Sequence, residues 1–389
     1  MRAVLVVGAS LAGLSAARAL RAQGYDGRLV VVGDEPHRPY DRPPLSKEFL
    51  AGRADEAALG LEADGEDLGA EWLLGARAVA LDPGARGVRL ADGRAVTADG
   101  VVIATGAAAR TLPGAAARSG VHTLRTLDDA RALRADLARG GRLVVIGGGF
   151  VGAEVASTAY ALGLDVTVVE AAPTPLSGPL GETMGGVVSG LHGDHGVRLL
   201  CGTGVRGTEA DGAGRVAAVL LADGRRLPAD TVVVGIGARP CVDWLAGSGI
   251  GLGDGVRCGT DGRTSLPDVV AVGDCAAWYD PAAGTHHRVE HWTGALERPA
   301  VAVAALLTGG AGAPRAPRPP YFWSDQYGVR IQFVGRAEGA DTVAVEEGAP
   351  EERDVLAVYR RGGVPVAVLG MNRPRSFTRW RKRLAAAAS

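Results

Sequence analysis

The sequence contains the same local pattern twice: a short β-branched strand, a glycine-rich turn and an alanine-rich segment. In the first copy the strand Ala3–Val7 leads into the turn Gly8–Gly13. In the second copy the strand Leu143–Ile146 leads into the turn Gly147–Gly152. Alternating strands and helices of this length form parallel sheets with helices packed on their faces. The pattern therefore predicts an α/β fold with two similar nucleotide-binding domains.

A second strand follows each predicted helix, and an acidic residue follows that strand. The strand Leu29–Val32 is followed by Asp34 and Glu35, and the strand Asp165–Val169 is followed by Glu170. In a G-x-G-x-x-G turn, glycine lets the backbone approach a pyrophosphate, and the next helix points its N-terminus at the anion. The acidic residue about 20 positions further on accepts hydrogen bonds from a ribose. The two copies therefore predict two dinucleotide sites.

The second turn fits this pattern completely, and the first departs from it at one position. The glycine positions are held by Gly147, Gly149 and Gly152 in the second turn and by Gly8, Ser10 and Gly13 in the first. A β-carbon at Ser10 crowds a phosphate, although its hydroxyl can also donate to one. Turns that only pack helices on sheets are the alternative, but two copies in one chain favour nucleotide binding.

The residues after Glu170 bear on the choice of nicotinamide cofactor. Ala171 and Ala172 follow it, so no arginine is present there to neutralise a 2′-phosphate. A carboxylate at this position repels that phosphate. We therefore expect NADH to be preferred over NADPH.

Composition and charge exclude several classes of protein. The net charge of −1 over 389 residues disfavours a nucleic-acid binder. No apolar run approaches the roughly 20 residues of a membrane span, and the N-terminus lacks the features of a signal peptide. The four cysteines form no C-x-x-C pair, which predicts buried free thiols and no metal site. We expect a cytoplasmic protein.

The remaining regions predict further sheet structure. Val79–Gly106 is predicted to be a small antiparallel excursion, and Gly309–Pro320 a linker. From Tyr321 onward, apolar and polar residues alternate, as at Val329, Ile331 and Phe333. This period of two predicts a C-terminal antiparallel sheet.

Several segments in order along the chain match those of a known family. They are the first turn with Val6 and Val7, Arg38–Lys47 with its Pro-Pro-Leu-Ser-Lys end, Ala104–Gly106, Gly273-Asp274 and Tyr321–Gln326. With these segments the chain resembles the FAD-dependent ferredoxin reductases of the putidaredoxin-reductase and Rieske-dioxygenase type. The resemblance covers essentially the whole chain.

The resemblance implies a fold and a division into domains. It implies two Rossmann-like nucleotide-binding domains of the glutathione-reductase type, plus a small α+β domain at the C-terminus. The FAD-binding domain would be discontinuous, comprising residues 1–110 and 240–318. Residues 111–239 would form the NAD-binding domain, and 319–389 a C-terminal interface domain.

The resemblance also implies site residues. Those assigned to FAD are Gly8, Ser10, Leu11, Ala12, Gly13, Asp34, Glu35, Arg42, Lys47, Val79, Ala104, Thr105, Gly106, Arg125, Gly273, Asp274, His291, Trp292 and Trp323. Those assigned to NAD are Gly147, Gly149, Phe150, Val151, Gly152, Glu170, Gly235 and Gly237. Lys47 and Glu154 are expected to be catalytic, paired where the nicotinamide stacks on the flavin.

Several of these residues also have a simpler interpretation. Lys47 is otherwise a surface lysine after a proline-rich turn, and Glu154 is otherwise on a solvated helix face. The aromatic residues Tyr321, Phe322, Trp323 and Tyr327 are either core residues or a stacking surface at the flavin edge. His286 and His287 are predicted to lie in a loop and to bind no metal. Arg379–Arg383 is predicted to be a solvated tail, or else a basic patch that steers an acidic ferredoxin.

The resemblance implies an NADH-dependent flavoenzyme. Hydride would pass from NADH to FAD, and single electrons would then pass to a two-iron ferredoxin that serves a Rieske or haem-thiolate oxygenase. One alternative is an NADH oxidase or flavin reductase that acts directly on oxygen or a small molecule. A second, of another class, is an NADH-responsive protein that changes its association with partners.

Overall fold

A computed structural model describes residues 1–113, 118–281, 283–310 and 319–387. The α-helices are α1 (Leu11–Ala22), α2 (Leu127–Leu137), α3 (Phe150–Ala161), α4 (Ser177–Asp194), α5 (Trp292–Thr308) and α6 (Pro374–Ala387). The strands are β1 (Ala3–Val7), β2 (Arg28–Val32), β3 (Ala70–Leu73), β4 (Ala78–Asp82), β5 (Gly87–Leu90), β6 (Ala95–Thr97), β7 (Gly100–Ile103), β8 (Ala107–Ala109), β9 (Val121–His122), β10 (Arg142–Ile146), β11 (Asp165–Val169), β12 (Arg198–Leu200), β13 (Val205–Ala210), β14 (Val216–Leu221), β15 (Arg226–Pro228), β16 (Thr231–Val234), β17 (Ala238–Pro240), β18 (Leu252–Gly253), β19 (Gly255–Cys258), β20 (Val269–Ala271), β21 (Ala276–Asp280), β22 (Thr285–Arg288), β23 (Tyr321–Gln326), β24 (Val329–Gly335), β25 (Thr342–Ala349), β26 (Asp354–Arg361) and β27 (Val364–Met371).

The chain divides into two compact units by its internal contacts. Unit 1 comprises Met1–Asp41, Gly60–Ala108 and Arg239–Pro320, and unit 2 comprises Arg42–Leu59, Ala109–Ala238 and Tyr321–Ser389. Arg42–Leu59 groups with unit 2 because Leu50 lies in the same apolar core as Leu133 and Val155. The three-domain division drawn from the sequence stays a prediction.

Unit 1 is built on a parallel sheet with the order β20-β7-β1-β2-β3. Residues Val4–Val7 of β1 are almost completely buried, as expected for a central strand covered on both faces. Helices α1 and α5 pack on each other, where Ala16 and Ala302 are fully buried. Two further sheets, β4-β5-β6 and β18-β19-β21-β22, complete the unit. The predicted antiparallel excursion is confirmed as β4–β6.

Unit 2 contains a second parallel sheet, with the order β12-β11-β10-β16-β9. An antiparallel sheet, β13-β14-β15, adjoins it in sequence. The C-terminal sheet is antiparallel with the order β23-β24-β27-β26-β25, which confirms the period of two. Its apolar face packs on α4, where Leu180 and Val188 share a core with Ile331.

Three predictions about local structure are wrong. The interpretation of Arg379–Arg383 as a tail is wrong because the segment belongs to α6, which buries Phe377 and Leu384 against the C-terminal sheet, whereas the basic-patch alternative stays a prediction. His286 and His287 lie in β22 because they pair with Tyr279 and Trp278 of β21. Cys201 is exposed and Cys241 is half-buried, so the prediction of buried thiols is wrong for these two. Residues 311–318 of the predicted linker lie outside the described residues.

Candidate functional site

The first glycine turn lies at the carboxyl end of β1 in unit 1. Gly8 has φ +123°, and a β-carbon there would lie 2.0 Å from the carbonyl oxygen of Ala104. A β-carbon at Gly13 would lie 1.8 Å from the carbonyl oxygen of Gly8. These positions therefore require glycine for the backbone to turn from β1 into α1. Ser10 is the N-cap of α1, in an extended conformation and without a capping hydrogen bond from its side chain.

Other residues assigned to FAD lie at the same end of this sheet. Gly273 follows β20, and a β-carbon there would lie 2.8 Å from the β-carbon of Ala12. Thr105 follows β7, and its hydroxyl donates to the carbonyl of Cys241 at 2.7 Å. The structure thus brings Gly8, Ala12, Ala104–Gly106 and Gly273-Asp274 to one edge, where ligands bind in open parallel sheets.

The acidic residues after β2 already have protein partners. Both oxygens of Asp34 accept from Arg77, with its Nη2 at 2.9 Å and its Nε at 3.0 Å from Oδ2. This contact raises the pKa of Arg77. The hydroxyl of Tyr40 donates to Glu35 Oε2 at 2.5 Å. Asp34 is the more exposed of the two carboxylates, and a carboxylate has lone pairs left for a ribose after one arginine is bound.

The remaining unit 1 residues assigned to FAD occupy different places. Trp292 begins α5, and its indole nitrogen donates to Asp41 Oδ1 at 2.8 Å. His291 is the N-cap of that helix. Val79 lies on β4 of the separate three-stranded sheet and is 37% exposed. Arg298 in α5 lies over the ring of Trp278, with Cζ 4.9 Å from the ring centroid.

The second glycine turn lies in unit 2 and repeats the two close glycine contacts of the first. Gly147 has φ +102°, and a β-carbon there would lie 2.3 Å from the carbonyl oxygen of Gly235. A β-carbon at Gly152 would lie 2.1 Å from the carbonyl oxygen of Gly147. At Gly149 nothing lies within 4 Å of a built β-carbon. The space above Gly149 and the uncapped start of α3 together fit a pyrophosphate.

Glu170 is fixed to this turn by backbone hydrogen bonds. Its Oε2 accepts from the N–H of Gly148 at 2.8 Å, and its Oε1 accepts from the N–H of Ala172 at 2.8 Å. The carboxylate is therefore held at the carboxyl end of β11, where the pattern places a ribose ligand. Gly237, with φ +95°, follows β16 at the same edge of the sheet.

Lys47 and Glu154 form a buried ion pair in unit 2. Lys47 Nζ lies 2.7 Å from Glu154 Oε2, and their side chains are 11% and 7% exposed. Lys47 caps the 3-10 helix Pro43–Ser46, and Glu154 lies in the second turn of α3. Nζ also donates to the carbonyl of Pro43 at 3.1 Å. Neither residue is on a solvated surface, so the simpler interpretation of each is wrong.

Arg42 and Arg125, both assigned to FAD, also meet in unit 2. Arg42 Nη1 donates to the carbonyl oxygen of Arg125 at 2.5 Å. The N–H of Arg125 donates to Asp129 Oδ2, which also takes part in the capping box of α2 with Thr126. The N-terminus of α2 thereby fixes the backbone that holds the Arg42 guanidinium.

The four aromatic residues near β23 do not form one stacking surface. Successive side chains of a strand point to opposite faces. Phe322 lies 4.5 Å from Phe150, between ring centroids, whereas Tyr321 and Trp323 stack on the other face at 6.1 Å. Tyr327, beyond the strand, stacks on His195 at 4.5 Å. Of these four residues, Trp323 is the one assigned to FAD.

The sequence reasoning missed the other donors to Glu154. Ser46 Oγ lies 2.6 Å from Oε2, and Ser324 Oγ lies 2.6 Å from Oε1. Both serines lie in segments that carry the family resemblance, but nothing in the sequence predicted that either would contact Glu154. Ser324 is 170 residues from Glu154 in sequence, a separation that no local pattern reports.

A cavity of about 370 Å³ is lined in part by Lys47. Its lining includes Glu48, Arg53, Ser157, Tyr160, His195, Asp325 and Tyr327. Behind it, His192 Nδ1 lies 2.7 Å from the hydroxyl of Tyr327. Burial, with a smaller effect of His195, lowers the pKa of His192 to about 4, and burial raises the pKa of Tyr327.

Two kinds of feature are absent from the described residues. In that part of the chain, no group of three or more His, Cys, Asp or Glu side chains is placed to hold a metal ion. Within the same ranges, no helix is both long and apolar enough to cross a membrane. The thiols of Cys258 and Cys275 are buried, and burial raises the pKa of Cys275 to about 11.

Comparison with known proteins shows where this arrangement recurs. Residues 2–298 match the model of the pyridine nucleotide-disulphide oxidoreductase family, and residues 321–389 match that of the reductase C-terminal domain. The ferredoxin reductase component of chlorobenzene dioxygenase from Cupriavidus sp. (strain PS12) is 40% identical over 96% of this chain and 90% of that protein. Putidaredoxin reductase of Pseudomonas putida is 38% identical, covering 96% of this chain and 89% of the relative.

Solved structures agree with the sequence comparison. The covalent putidaredoxin reductase–putidaredoxin complex matches with a TM-score of 0.94 and 36% identity, covering 99% of this chain and 93% of the matched one. The ferredoxin reductase for the CYP199A2 system of Rhodopseudomonas palustris also gives a TM-score of 0.94, with 35% identity over 100% of this chain and 96% of its own. The chain therefore belongs to the pyridine nucleotide-disulphide oxidoreductase family, among its FAD- and NADH-using ferredoxin reductases.

Proposed function

We propose that this enzyme takes hydride from NADH onto FAD and delivers single electrons to a two-iron ferredoxin. That ferredoxin would serve a Rieske or haem-thiolate oxygenase, as the names of the relatives indicate for their own systems. The observation that carries the proposal is the pair of glycine turns, each with the backbone that a dinucleotide requires, in a chain similar to ferredoxin reductases over 96% of its length. Dependence on NADH accords with a cytoplasmic location.

Bound FAD would supply the conversion of a two-electron hydride into two single-electron transfers. The chain's own residues would bind FAD and NADH and orient them. The turn Gly8–Gly13 would hold the FAD pyrophosphate, with Asp34 on its ribose. The turn Gly147–Gly152 would hold NADH, with Glu170 on the adenosine ribose.

Lys47 would provide positive charge beside the flavin, and Glu154 would hold it in place. A lysine ammonium favours an anionic ring next to it, and a buried lysine keeps its charge best when a carboxylate is paired with it. The 2.7 Å contact between Nζ and Oε2 provides that pairing within unit 2. No acid–base step is required of either residue for direct hydride transfer.

The cysteines support transfer to an iron–sulphur partner rather than to a disulphide. In the part of the chain that the structure describes, no disulphide links any of the four cysteines, Cys201, Cys241, Cys258 and Cys275. A thiol reacts as a thiolate, so Cys258 and Cys275, which are buried and have raised pKa values, are inert. The chain thus lacks the redox-active pair that its family's name describes.

The proposal is tested by NADH-driven reduction of cytochrome c by the purified protein, with and without a two-iron bacterial ferredoxin. We expect a large stimulation by the ferredoxin. Rapid loss of NADH without ferredoxin, and no stimulation by several two-iron ferredoxins, would favour an NADH oxidase. Slow flavin reduction together with an NADH-dependent change in size would favour the protein that switches its association.

The two lysines of the chain provide a matched control for the hydride step. Flavin bleaching by NADH is followed in a stopped-flow instrument without oxygen or ferredoxin. Lys47→Met should slow it by about tenfold or more, since a buried charge beside the ring is lost. Lys382→Met removes the other, exposed lysine and should leave this step unchanged. Equal rates of flavin reduction in both variants would show that Lys47 does not act at the flavin.

A further inference from the structure

The carboxylate of Glu154 is held by three donors from two separate segments of unit 2. Oε2 accepts from Lys47 and Ser46, which end the Pro43–Ser46 segment. Oε1 accepts from Ser324 in β23, a residue that is completely buried. The segment of Ser46 is itself tied to α3, because Thr158 Oγ1 donates to the carbonyl of Ser46 at 2.7 Å.

The direction of the hydrogen bond from Ser324 follows from its second partner. Gln326 Nε2 lies 3.1 Å from Ser324 Oγ, and the amide is 99% buried since only 1% of Gln326 is exposed. An ionised carboxylate only accepts, so the single proton of the serine goes to Glu154 and its oxygen accepts from the amide. Gln326 Oε1 has no partner among the described residues, so the contact with Ser324 is what orients this amide.

The alternation of β23 explains why this strand supplies both groups. Phe322, Ser324 and Gln326 lie on one face, and the ring of Phe322 rests on Phe150 at the start of α3. Ser324 therefore meets α3 two positions beyond Phe322, on the same face of the strand. Without Ser324, Oε1 would be a buried carboxylate oxygen lacking a donor, which is costly.

We propose that Ser324, oriented by Gln326, is a positioning residue that fixes the Glu154 carboxylate so that its other oxygen holds Lys47. The C-terminal sheet thereby takes part in setting the position of the Lys47 ammonium. This inference rests on the proposed function only for its kinetic consequence, since the hydrogen-bond chain lies wholly within unit 2.

A double-mutant cycle tests whether Ser324 acts through Glu154. In the holoenzyme, Ser324→Ala should slow reduction of the bound flavin at saturating NADH by about tenfold, with the KM for NADH little changed. In a Glu154→Gln background the same substitution should change the rate by less than about twofold. Additive effects in the double variant would overturn the proposal.

A buried serine elsewhere in unit 2 is the control. Ser189 is 6% exposed, and its hydroxyl donates to the carbonyl of Gly185 at 2.8 Å within α4. Ser189→Ala should leave flavin reduction at the native rate. If Ser324→Ala does not retain its flavin, the cycle is run with Ser324→Cys, which keeps a side chain of similar shape but is only a weak donor.

A second measurement does not depend on catalysis. The holoenzyme is acetylated with limiting acetic anhydride, and the modification of Lys47 relative to Lys382 is read by mass spectrometry. Ser324→Ala should raise that ratio by about threefold, because a less constrained carboxylate releases the ammonium. A ratio equal to that of the native protein and of Ser189→Ala would overturn the proposal.

The two measurements separate this inference from the proposed function. A native protein that does not pass electrons from NADH to a ferredoxin contradicts the proposed function, while the acetylation ratio still reports on Ser324. A native protein that is fully active, whose Ser324→Ala variant matches it in both rate and ratio, contradicts the inference alone.

Discussion

The two glycine turns share two close glycine contacts but differ at their middle position and in the partners of the acidic residue. In both turns, the first glycine has a positive φ and lies against a carbonyl that follows a neighbouring strand of the sheet. A β-carbon built at the last glycine of either turn would lie within 2.1 Å of the carbonyl oxygen of the first glycine. They differ at the middle position, which is Ser10 in the first turn and Gly149 in the second, and in how the acidic residue is held. Asp34 is held by an exposed arginine, whereas Glu170 is held by backbone N–H groups.

This difference shows which parts of a dinucleotide site are set by sterics and which are adjustable. The positions that meet a carbonyl oxygen admit no side chain in either turn. The middle position faces open space at Gly149, so what occupies it is decided by the ligand and not by the fold. The following predictions test that distinction, beginning with the largest effect.

Alanine at the first glycine of each turn should have the largest effect. Gly8→Ala and Gly147→Ala each place a β-carbon within 2.3 Å of a carbonyl oxygen at positive φ. We expect Gly8→Ala to be purified without flavin, and Gly147→Ala to keep flavin but raise the KM for NADH by about tenfold or more. Flavin absorbance and steady-state kinetics measure both. The opposite pattern would reverse the assignment of the turns.

Lowering the pH should destabilise α4 of unit 2 but not α1 of unit 1. His192 in α4 of unit 2 has its pKa lowered from 6.5 to about 4, so it favours the folded state above pH 6.5. As the pH falls toward 4, the unfolded state gains the proton first, and about 2 kcal/mol of stability is lost by pH 5. Hydrogen exchange, corrected for intrinsic rates, should therefore speed up in α4.

The control for acid is the same measurement on α1 of unit 1 and on a His192→Asn variant. Exchange in α1 should not change as His192 titrates, and the variant should lose the pH dependence in α4. An α4 that responds to acid equally in the variant would show that another group is responsible.

Substitution of the acidic residues should give an intermediate effect. Glu170→Gln removes the charge that repels a 2′-phosphate but keeps an acceptor for Gly148. We expect the preference for NADH over NADPH, measured as the ratio of kcat/KM values, to fall by about tenfold. Asp34→Asn should leave that ratio unchanged. A change of the ratio in Asp34→Asn would contradict the separation of the two sites.

Substitution of the residue at the middle position of each turn should give the smallest effect. Gly149→Ser has room for its β-carbon, so the fold should persist while the KM for NADH rises by about fivefold. Ser10→Gly should slow flavin dissociation by about twofold, because a group that crowds the phosphate is removed. Faster dissociation would show instead that the Ser10 hydroxyl donates to the phosphate.

The sequence was sufficient for the parallel sheets and the turns because their signals are local. β1 and β11 have the predicted bounds, and β2 and β10 begin one residue earlier than predicted. The strands are continuous apolar runs, as expected where both faces are covered. The glycine spacing likewise reports a backbone geometry that lies within a few residues.

The contacts between distant segments were not predictable from such signals. The burial of Glu154 depends on Ser324, and the splitting of the aromatic residues depends on which face of β23 meets α3. The amphipathic character of α6 was obscured by its arginines, of which Arg381 covers the ring of Tyr321 at 4.1 Å. Long side chains of this kind place charge in solvent while their stems cover apolar surface.

The pairing of β20 with β7 has a consequence for synthesis of the chain. Val269 pairs with Val101, so the parallel sheet of unit 1 stays incomplete until residue 271 has left the ribosome. The parallel sheet of unit 2 needs only Val121 to Val234, a shorter and uninterrupted stretch. The entropy of closing a loop is lost before distant contacts stabilise the sheet, and this loss grows with the length of the loop. The parallel sheet of unit 2 should therefore form before that of unit 1 during translation. The strands β1, β2 and β7 would then wait, with one edge unpaired, for the arrival of β20.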